Sequence, residues 1–83
     1  MSDAEFDLLD ELYFVQPYDH LKETLGWEDK QLLETLDLLY RAGMIKCLAE
    51  PDRERFDLVD IFSEGKNLMF LATKKGLMAH NAL

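Results

Sequence analysis

The stretch TLGWEDKQLLETLDLLYRAGMIKCL, residues 24–48, decides the fold. Its middle part has apolar residues at helical spacings of three and four: Leu32, Leu36, Leu39 and Tyr40. Glycine often takes the left-handed position that ends a helix, so Gly26 is predicted to end a short helix over residues 18–25 and Gly43 to end the next one. The residues after Gly43, MIKCLAE, are apolar enough for a strand that Pro51 would end. The stretch therefore predicts helix, tight turn, helix and strand in direct succession.

A first helix is predicted upstream of this stretch. Ser2 and Glu5 have the spacing of a capping box, in which each side chain bonds the other residue's backbone amide. Apolar residues then follow at helical spacing: Phe6, Leu8, Leu9, Leu12 and Tyr13. Pro17 disfavours helical geometry at the residue before it, so the helix should stop near Phe14 or Val15. We expect Phe14 to lie at the frayed helix end; the alternatives are that it folds back over the core or forms an exposed apolar spot.

Residues 51–67, PDRERFDLVDIFSEGKN, fit two different structures. A short helix fits the spacing of three aromatic and aliphatic residues, Phe56, Val59 and Phe62. FDLVDIF also fits a strand that turns back through residues 63–66, and we favour the strand. LMFLA, residues 68–72, is then a further strand, and Thr73 is predicted to cap a last helix through KKGLMAHNAL.

All 83 residues are expected to form one domain, residues 1–83, because a chain of this length can build only a single core. The net charge of −8 is unevenly distributed. Residues 1–43 carry eleven acidic residues against three basic ones, whereas residues 44–83 carry six of each. No apolar run is long enough to span a bilayer, and the acidic start is unlike a secretory signal. We therefore expect a cytoplasmic protein without a membrane partner.

The run YDHLKETLGWEDKQLLETLDLLYRAGMIKCL, followed by FLATKKG, resembles the winged helix-turn-helix family over residues 18–79. Gly26 allows the chain to reverse between two helices packed at a steep angle. The resemblance implies a small α+β winged helix: a three-helix bundle with a β-hairpin wing and a C-terminal helix, in which residues 51–67 form the wing or an insertion. The family includes both DNA readers and protein-docking modules, so the fold alone does not decide the function.

In the DNA-binding members that this chain resembles, the third helix enters the major groove and the wing touches phosphates. Here that helix begins at Trp27 or Glu28, and the resemblance places five residues on its outward face: Asp29, Lys30, Leu33, Glu34 and Asp37. Affinity for duplex DNA comes largely from cations that neutralise about 6 to 10 phosphates. Residues 28–41 carry four carboxylates against two bases, so we expect DNA to repel this helix.

The favoured function is therefore protein–protein interaction, with transcription regulation as the context that the resemblance suggests. The expected contact surface combines the outward residues of the third helix with Phe14 and Trp27, as an apolar centre inside an acidic rim. Its partner would be a basic protein or a second copy of this chain. Leu33 has an alternative role in the core if the leucine stripe of the helix is simply wide.

The alternative function is a DNA-binding transcription regulator that acts as a dimer. Its basic surface would be assembled from the wing and the C-terminal part of the chain: Arg53, Arg55, Lys66, Lys74 and Lys75. A homodimer is expected under either function, because Leu77, Met78 and Leu83 leave apolar surface on the closing helix.

The sequence contains no motif of an enzyme. His20 and His80 are far apart, and neither a glycine-rich phosphate loop nor a nucleophile elbow is present. Cys47 has no companion Cys or His at metal-binding spacing. We therefore predict no catalytic residue, metal, cofactor or small-molecule substrate.

Overall fold

The computed structural model describes residues 1–82, which form an α+β fold of five helices and one four-stranded antiparallel sheet. The helices are α1 (Asp3–Glu11), α2 (Tyr18–Leu25), α3 (Asp29–Arg41), α4 (Ile61–Glu64) and α5 (Lys74–Asn81). The strands are β1 (Gln16–Pro17), β2 (Ile45–Glu50), β3 (Arg53–Glu54) and β4 (Met69–Ala72), and a 3-10 turn, Gly65–Asn67, follows α4. None of the helices in this described part is long and apolar enough to cross a membrane. The predicted α+β class is confirmed.

The capping box predicted at the start of α1 is confirmed. The Ser2 hydroxyl accepts a hydrogen bond from the Glu5 backbone N–H at 3.2 Å, and the Glu5 carboxylate accepts one from the Ser2 backbone N–H at 3.2 Å. α1 ends earlier than predicted, because the Leu12 carbonyl accepts a hydrogen bond from the Ala72 N–H at 2.9 Å and the chain then extends into β1. Phe14 lies in a bend beyond the helix and is 77% exposed, so its expected position at the frayed helix end is wrong and the exposed alternative is correct.

Both predicted glycine stops are confirmed. Gly26 and Gly43 have φ angles of 70° and 74°, in the left-handed region that glycine occupies without strain. Residues 26–28 form the turn between α2 and α3, and Glu28 occupies the N-cap position of α3. The predicted leucine stripe of α3 is fully buried: Leu32, Leu36 and Leu39. It joins a core that includes three leucines of α1 and its C-cap: Leu8, Leu9 and Leu12.

The sheet has the strand order β1-β4-β2-β3. Its central pair is β2 and β4, in which Cys47 lies opposite Phe70 and both side chains are buried. These two strands were predicted from the sequence. β1 was not predicted; it adds to the far side of β4, with Gln16 opposite Phe70. β3 pairs with β2 after a turn at residues 51–52.

The strand predicted over FDLVDIF is wrong. After β3, residues 55–60 contain no regular element, and α4 then begins. The physical reason is Asp60, whose carboxylate accepts hydrogen bonds from the backbone N–H groups of Phe62 at 3.1 Å and Ser63 at 3.4 Å. These bonds satisfy amides that a helix start leaves unpaired, so Asp60 caps a short helix. Val59 and Ile61 on either side of it are buried in the core.

α5 closes the fold, and its predicted cap is confirmed. Thr73 Oγ1 accepts a hydrogen bond from the Gly76 N–H at 3.1 Å. A Cβ atom at Gly76 would overlap the carbonyl oxygen of Met44, the residue that precedes β2. Glycine therefore allows α5 to pack directly against the chain where it enters the sheet.

The surface predicted for dimerisation is partly used inside the fold. Leu77 packs against the core, and His80 stacks on Phe6 of α1 with the ring centroids 4.2 Å apart. Met78 is exposed. Leu83, which was also predicted to contribute, lies outside the described residues. The homodimer stays a prediction.

Candidate docking surface

Asp29, a predicted contact residue, is engaged within the fold. Tyr18 Oη donates a hydrogen bond to Asp29 Oδ1 at 2.7 Å, and the ammonium groups of Lys22 and Lys66 lie 3.1 and 3.4 Å from the same carboxylate. The hydrogen bond from Tyr18, and after it the one from Lys22, lowers the pKa of Asp29 to about 2. Burial, and after it this hydrogen bond, raises the pKa of Tyr18 above its ordinary value. Asp29 therefore ties α2 to the start of α3.

Leu33, the predicted apolar anchor, is buried. Its side chain is 9% exposed and packs beneath the 3-10 turn, where a Cβ on Gly65 would lie 3.1 Å from Leu33 Cδ2. The prediction that Leu33 points outward is wrong, and the alternative that it belongs to the core is correct. α4 and the 3-10 turn cover this side of α3, which a strand over FDLVDIF would not have done.

The other predicted contact residues divide into two groups. Lys30, Glu34 and Asp37 do line shallow depressions along the outer face of α3. Phe14 and Trp27 line none of these depressions: Phe14 lies between α1 and β1, and Trp27 is half-buried and packs against the core. The predicted patch is therefore only partly assembled.

A different set of large apolar side chains is exposed on and beside α3. We call it the apolar surface, and its members are Leu38 (50% exposed), Phe62 (55%), Phe56 (88%) and Leu58 (88%). Leu38 and Phe62 line one depression. Leu58 lines a second depression, and Leu58 and Phe56 together line a third. Arg41 lines all three depressions, so they follow one another past the C-terminal end of α3.

The segment that carries the exposed Phe56 and Leu58 is bonded to the rest of the fold. The Arg55 guanidinium donates from Nε and Nη2 to the two carboxylate oxygens of Asp57 at 2.7 and 2.6 Å, and from Nη1 to Glu64 at 3.0 Å. The hydrogen bonds from Arg55 lower the pKa of Asp57 to about 2. A bidentate pair of this kind restricts both side chains. Because it joins the residues on either side of Phe56, it restricts the conformation of the chain at that point.

Tyr40 of α3 provides the second tether. Its hydroxyl accepts a hydrogen bond from the Val59 backbone N–H at 3.0 Å and donates to the Asp57 carbonyl at 3.5 Å. Val59 itself is buried. Leu58 therefore lies next to a residue that is attached to α3, yet its own side chain remains in solvent.

Sequence reasoning missed this surface because it placed the apolar residues of FDLVDIF in a strand. The available signal was the spacing of Arg55 and Asp57, two residues apart, which allows an ion pair that bridges Phe56. A second signal was Asp60, a favourable helix N-cap residue before Ile61.

The charged residues around the apolar surface are mainly acidic. The depressions beside α3 are lined by seven acids: Glu28, Glu34, Asp37, Glu54, Asp57, Asp60 and Glu64. They are lined by four bases: Lys30, Arg41, Lys46 and Arg55. Arg41 lies 2.9 Å from Asp37 and Lys46 lies 3.0 Å from Glu54, so these bases are neutralised locally, as is Arg55. Seven acids against four bases leave a net charge of −3.

The basic residues of the DNA-binding alternative are dispersed. Arg53 pairs with a glutamate of β2 at 3.5 Å, and Arg55 is bound as described above. Lys66 contacts Asp29, the first residue of α3. Lys75 Nζ donates a hydrogen bond at 2.7 Å to the carbonyl of Ala42, the residue that follows α3. α3 has 13 residues, so these two lysines contact points about 20 Å apart. Lys74 is exposed.

Within residues 1–82, no group of three or more His, Cys, Asp or Glu side chains could hold a metal ion. Burial raises the pKa of Cys47 to about 12, which leaves the thiol protonated and unreactive at neutral pH.

No protein-family model matches the chain, and no curated protein or solved structure matches it either. Any function must therefore be argued from the surface itself.

Proposed function

We propose that this chain is an acidic winged-helix module that binds another protein through the apolar surface and has no catalytic activity. The winged-helix assignment is supported by the short turn with a left-handed Gly26 between α2 and α3. It is supported further by the antiparallel pairing of β2 with β4 and by the capped helix that follows β4. Transcription regulation is the context suggested by the resemblance of the sequence.

The observation that carries the proposal is the presentation of Phe56 and Leu58. Both side chains are 88% exposed, although the segment that carries them is bonded through Arg55 and Tyr40. A mobile loop could bury such side chains by collapsing onto the domain, and burial of one of them is worth about 1.5–3 kcal/mol. Holding them in solvent forgoes this stabilisation, which is the arrangement expected of anchors that a partner buries.

The acidic surroundings favour protein over DNA. Cations near the outer face of α3 are few, and Arg41 is paired with Asp37. A DNA-binding surface requires several unpaired cations placed along phosphates. The basic residues expected to supply them are engaged or far apart, so no observation on the surface favours the DNA-binding alternative.

Partner capture from the source cells tests the proposal. The bait proteins are the wild type, the double variant Phe56→Ser/Leu58→Ser, and Phe14→Ser as a control that removes another exposed aromatic side chain elsewhere. We expect the wild type and the control to retain the same partner and the double variant to lose it. A partner held equally by all three would overturn the proposed surface.

A gel-retardation assay tests the DNA-binding alternative. At low salt, about 50 mM, electrostatic attraction to DNA is near its strongest. We expect no retardation of duplex DNA by the wild type under these conditions. Retardation that weakens steeply with salt would support the DNA-binding alternative.

A further inference from the structure

Resting on the proposed function, we infer that the occupant of the apolar surface is a basic amphipathic helix of another protein. Such a helix has apolar side chains along one face, and lysine or arginine residues beside them. Three features of the surface support this occupant: its shape, its charge and the absence of a usable sheet edge beside it.

The shape of the surface suits a helix. The depressions follow α3 and continue past Arg41 to Phe56. On α3 they are lined by residues within 34–41, which is about 12 Å of helix, so a partner helix of a few turns would cover them. Leu38 and Phe62 lie near one end of this path and Leu58 and Phe56 near the other. An amphipathic helix meets such spaced contacts with residues at intervals of three, four and seven.

A partner strand has little to pair with. The outer strands of the sheet are β1 and β3, each of two residues, and β3 leaves only residues 45–47 of β2 uncovered, where the Cys47 carbonyl already accepts a hydrogen bond from the Arg55 N–H. β1 contains Pro17, which has no backbone N–H to donate, and β3 consists of two charged residues, Arg53 and Glu54. Strand addition needs a run of unpaired backbone groups. The fold provides its apolar contacts beside α3 instead.

The charge of the surface selects a basic partner. Its lining carries a net charge of −3, and Glu28 and Glu34 lie within 4 Å of no Lys or Arg ammonium or guanidinium group in the described part of the chain. Lysines flanking an apolar stripe would reach these carboxylates. A second copy of the chain would bring another −8 charge, so electrostatics opposes self-association through the same surface.

Direct binding of designed peptides tests the inference. The first peptide is a Lys/Leu amphipathic helix of about 18 residues, long enough to be helical when bound. The second has the same composition in an order without an apolar face, and the third replaces every Lys by Glu. Fluorescence anisotropy against the intact chain, at about 50 and 150 mM salt, measures each affinity.

Two pairs of variants locate the contact. Phe56→Ser/Leu58→Ser removes two anchors, and Phe14→Ser is its control. Glu34→Lys reverses a charge on the surface, and Asp7→Lys makes the same change in net charge at an exposed position of α1. Each of these side chains is exposed, so the fold should persist in all four variants, and circular dichroism checks this.

We expect the first peptide to bind more tightly than the other two at both salt concentrations. Loss of two anchors should weaken it at least about tenfold, which is 1.4 kcal/mol, and Phe14→Ser should have little effect. Glu34→Lys should weaken it more than Asp7→Lys. Equal binding of the first two peptides, or no binding of the first, would overturn the inference.

Other outcomes separate this inference from the proposed function. If Phe56→Ser/Leu58→Ser loses the cellular partner but no basic helix binds, the docking surface stands and the basic helix is wrong. If light scattering shows a dimer of the wild type and a monomer of the double variant, the occupant is a second copy and the inference is overturned. If neither partner nor peptide depends on Phe56 and Leu58, both proposals fail.

Discussion

The substitution Tyr40→Phe tests whether the segment that presents Leu58 is tethered to α3. The phenylalanine ring preserves the packing of Tyr40, so only the hydroxyl is lost. The Val59 N–H then loses its acceptor at 3.0 Å, next to a buried side chain. An unsatisfied amide costs about 1–3 kcal/mol, and the lost 3.5 Å bond to the Asp57 carbonyl contributes little at that distance. We expect a loss of about 1–2 kcal/mol in the free energy of unfolding.

Urea denaturation measures this free energy, and amide hydrogen exchange locates the change. If the segment opens locally, a loss of about 1.4 kcal/mol makes the Val59 amide exchange about tenfold faster. Tyr13→Phe is the control, because its hydroxyl lies 2.7 Å from His80 Nδ1, in the contact between α1 and α5. It should leave Val59 exchange unchanged. Unchanged stability and unchanged Val59 exchange in Tyr40→Phe would refute the tether.

Three further predictions concern the fold. Gly76→Ala should destabilise the fold by about 2 kcal/mol because its Cβ overlaps the Met44 carbonyl. Gly26→Ala, with open space but a φ of 70°, should cost about 1 kcal/mol. Equal losses of stability in urea denaturation would contradict this difference. Cys47, with a pKa of about 12, should react with a disulfide reagent at pH 8 only after unfolding, and rapid labelling of the native protein would disprove its burial. The pKa of Asp29 is about 2 against an ordinary 3.8, so its stabilising effect is complete above about pH 4 and is lost as pH falls towards 2. Asp29→Asn should therefore flatten the dependence of stability on pH in this window, and an unchanged slope would count against the pairing.

The helical half of the fold could be predicted because its signals are local. Three kinds of signal each depend on residues within one or two turns: the capping box at Ser2, the stops at Gly26 and Gly43, and the leucine stripe of α3. Such signals act before tertiary contacts form, and here the tertiary structure agrees with them. Phe14 was placed wrongly because the end of α1 is set by a bond from distant β4.

The candidate site could not be predicted, because it depends on contacts across the chain. Whether Leu33 is outward or buried depends on what covers that side of α3, and the cover is α4 and the 3-10 turn. The pattern of FDLVDIF is compatible with a strand, but the cap at Asp60 and the bond from Tyr40 decide against one. The cap at Asp60 and the bond from Tyr40 also leave Leu58 exposed. Local propensity was overridden by capping and tertiary bonding.

The most direct test of the account is to map the bound surface by nuclear magnetic resonance. The intact chain is titrated with the basic amphipathic peptide, and chemical shifts are followed at the apolar surface and at two exposed residues outside it, Phe14 and Met78. We expect large shifts confined to Leu38, Phe56, Leu58 and Phe62 and to their neighbours on α3. Shifts centred on Phe14 or Met78, or spread evenly over all exposed carboxylates, would show that the peptide does not bind at the apolar surface.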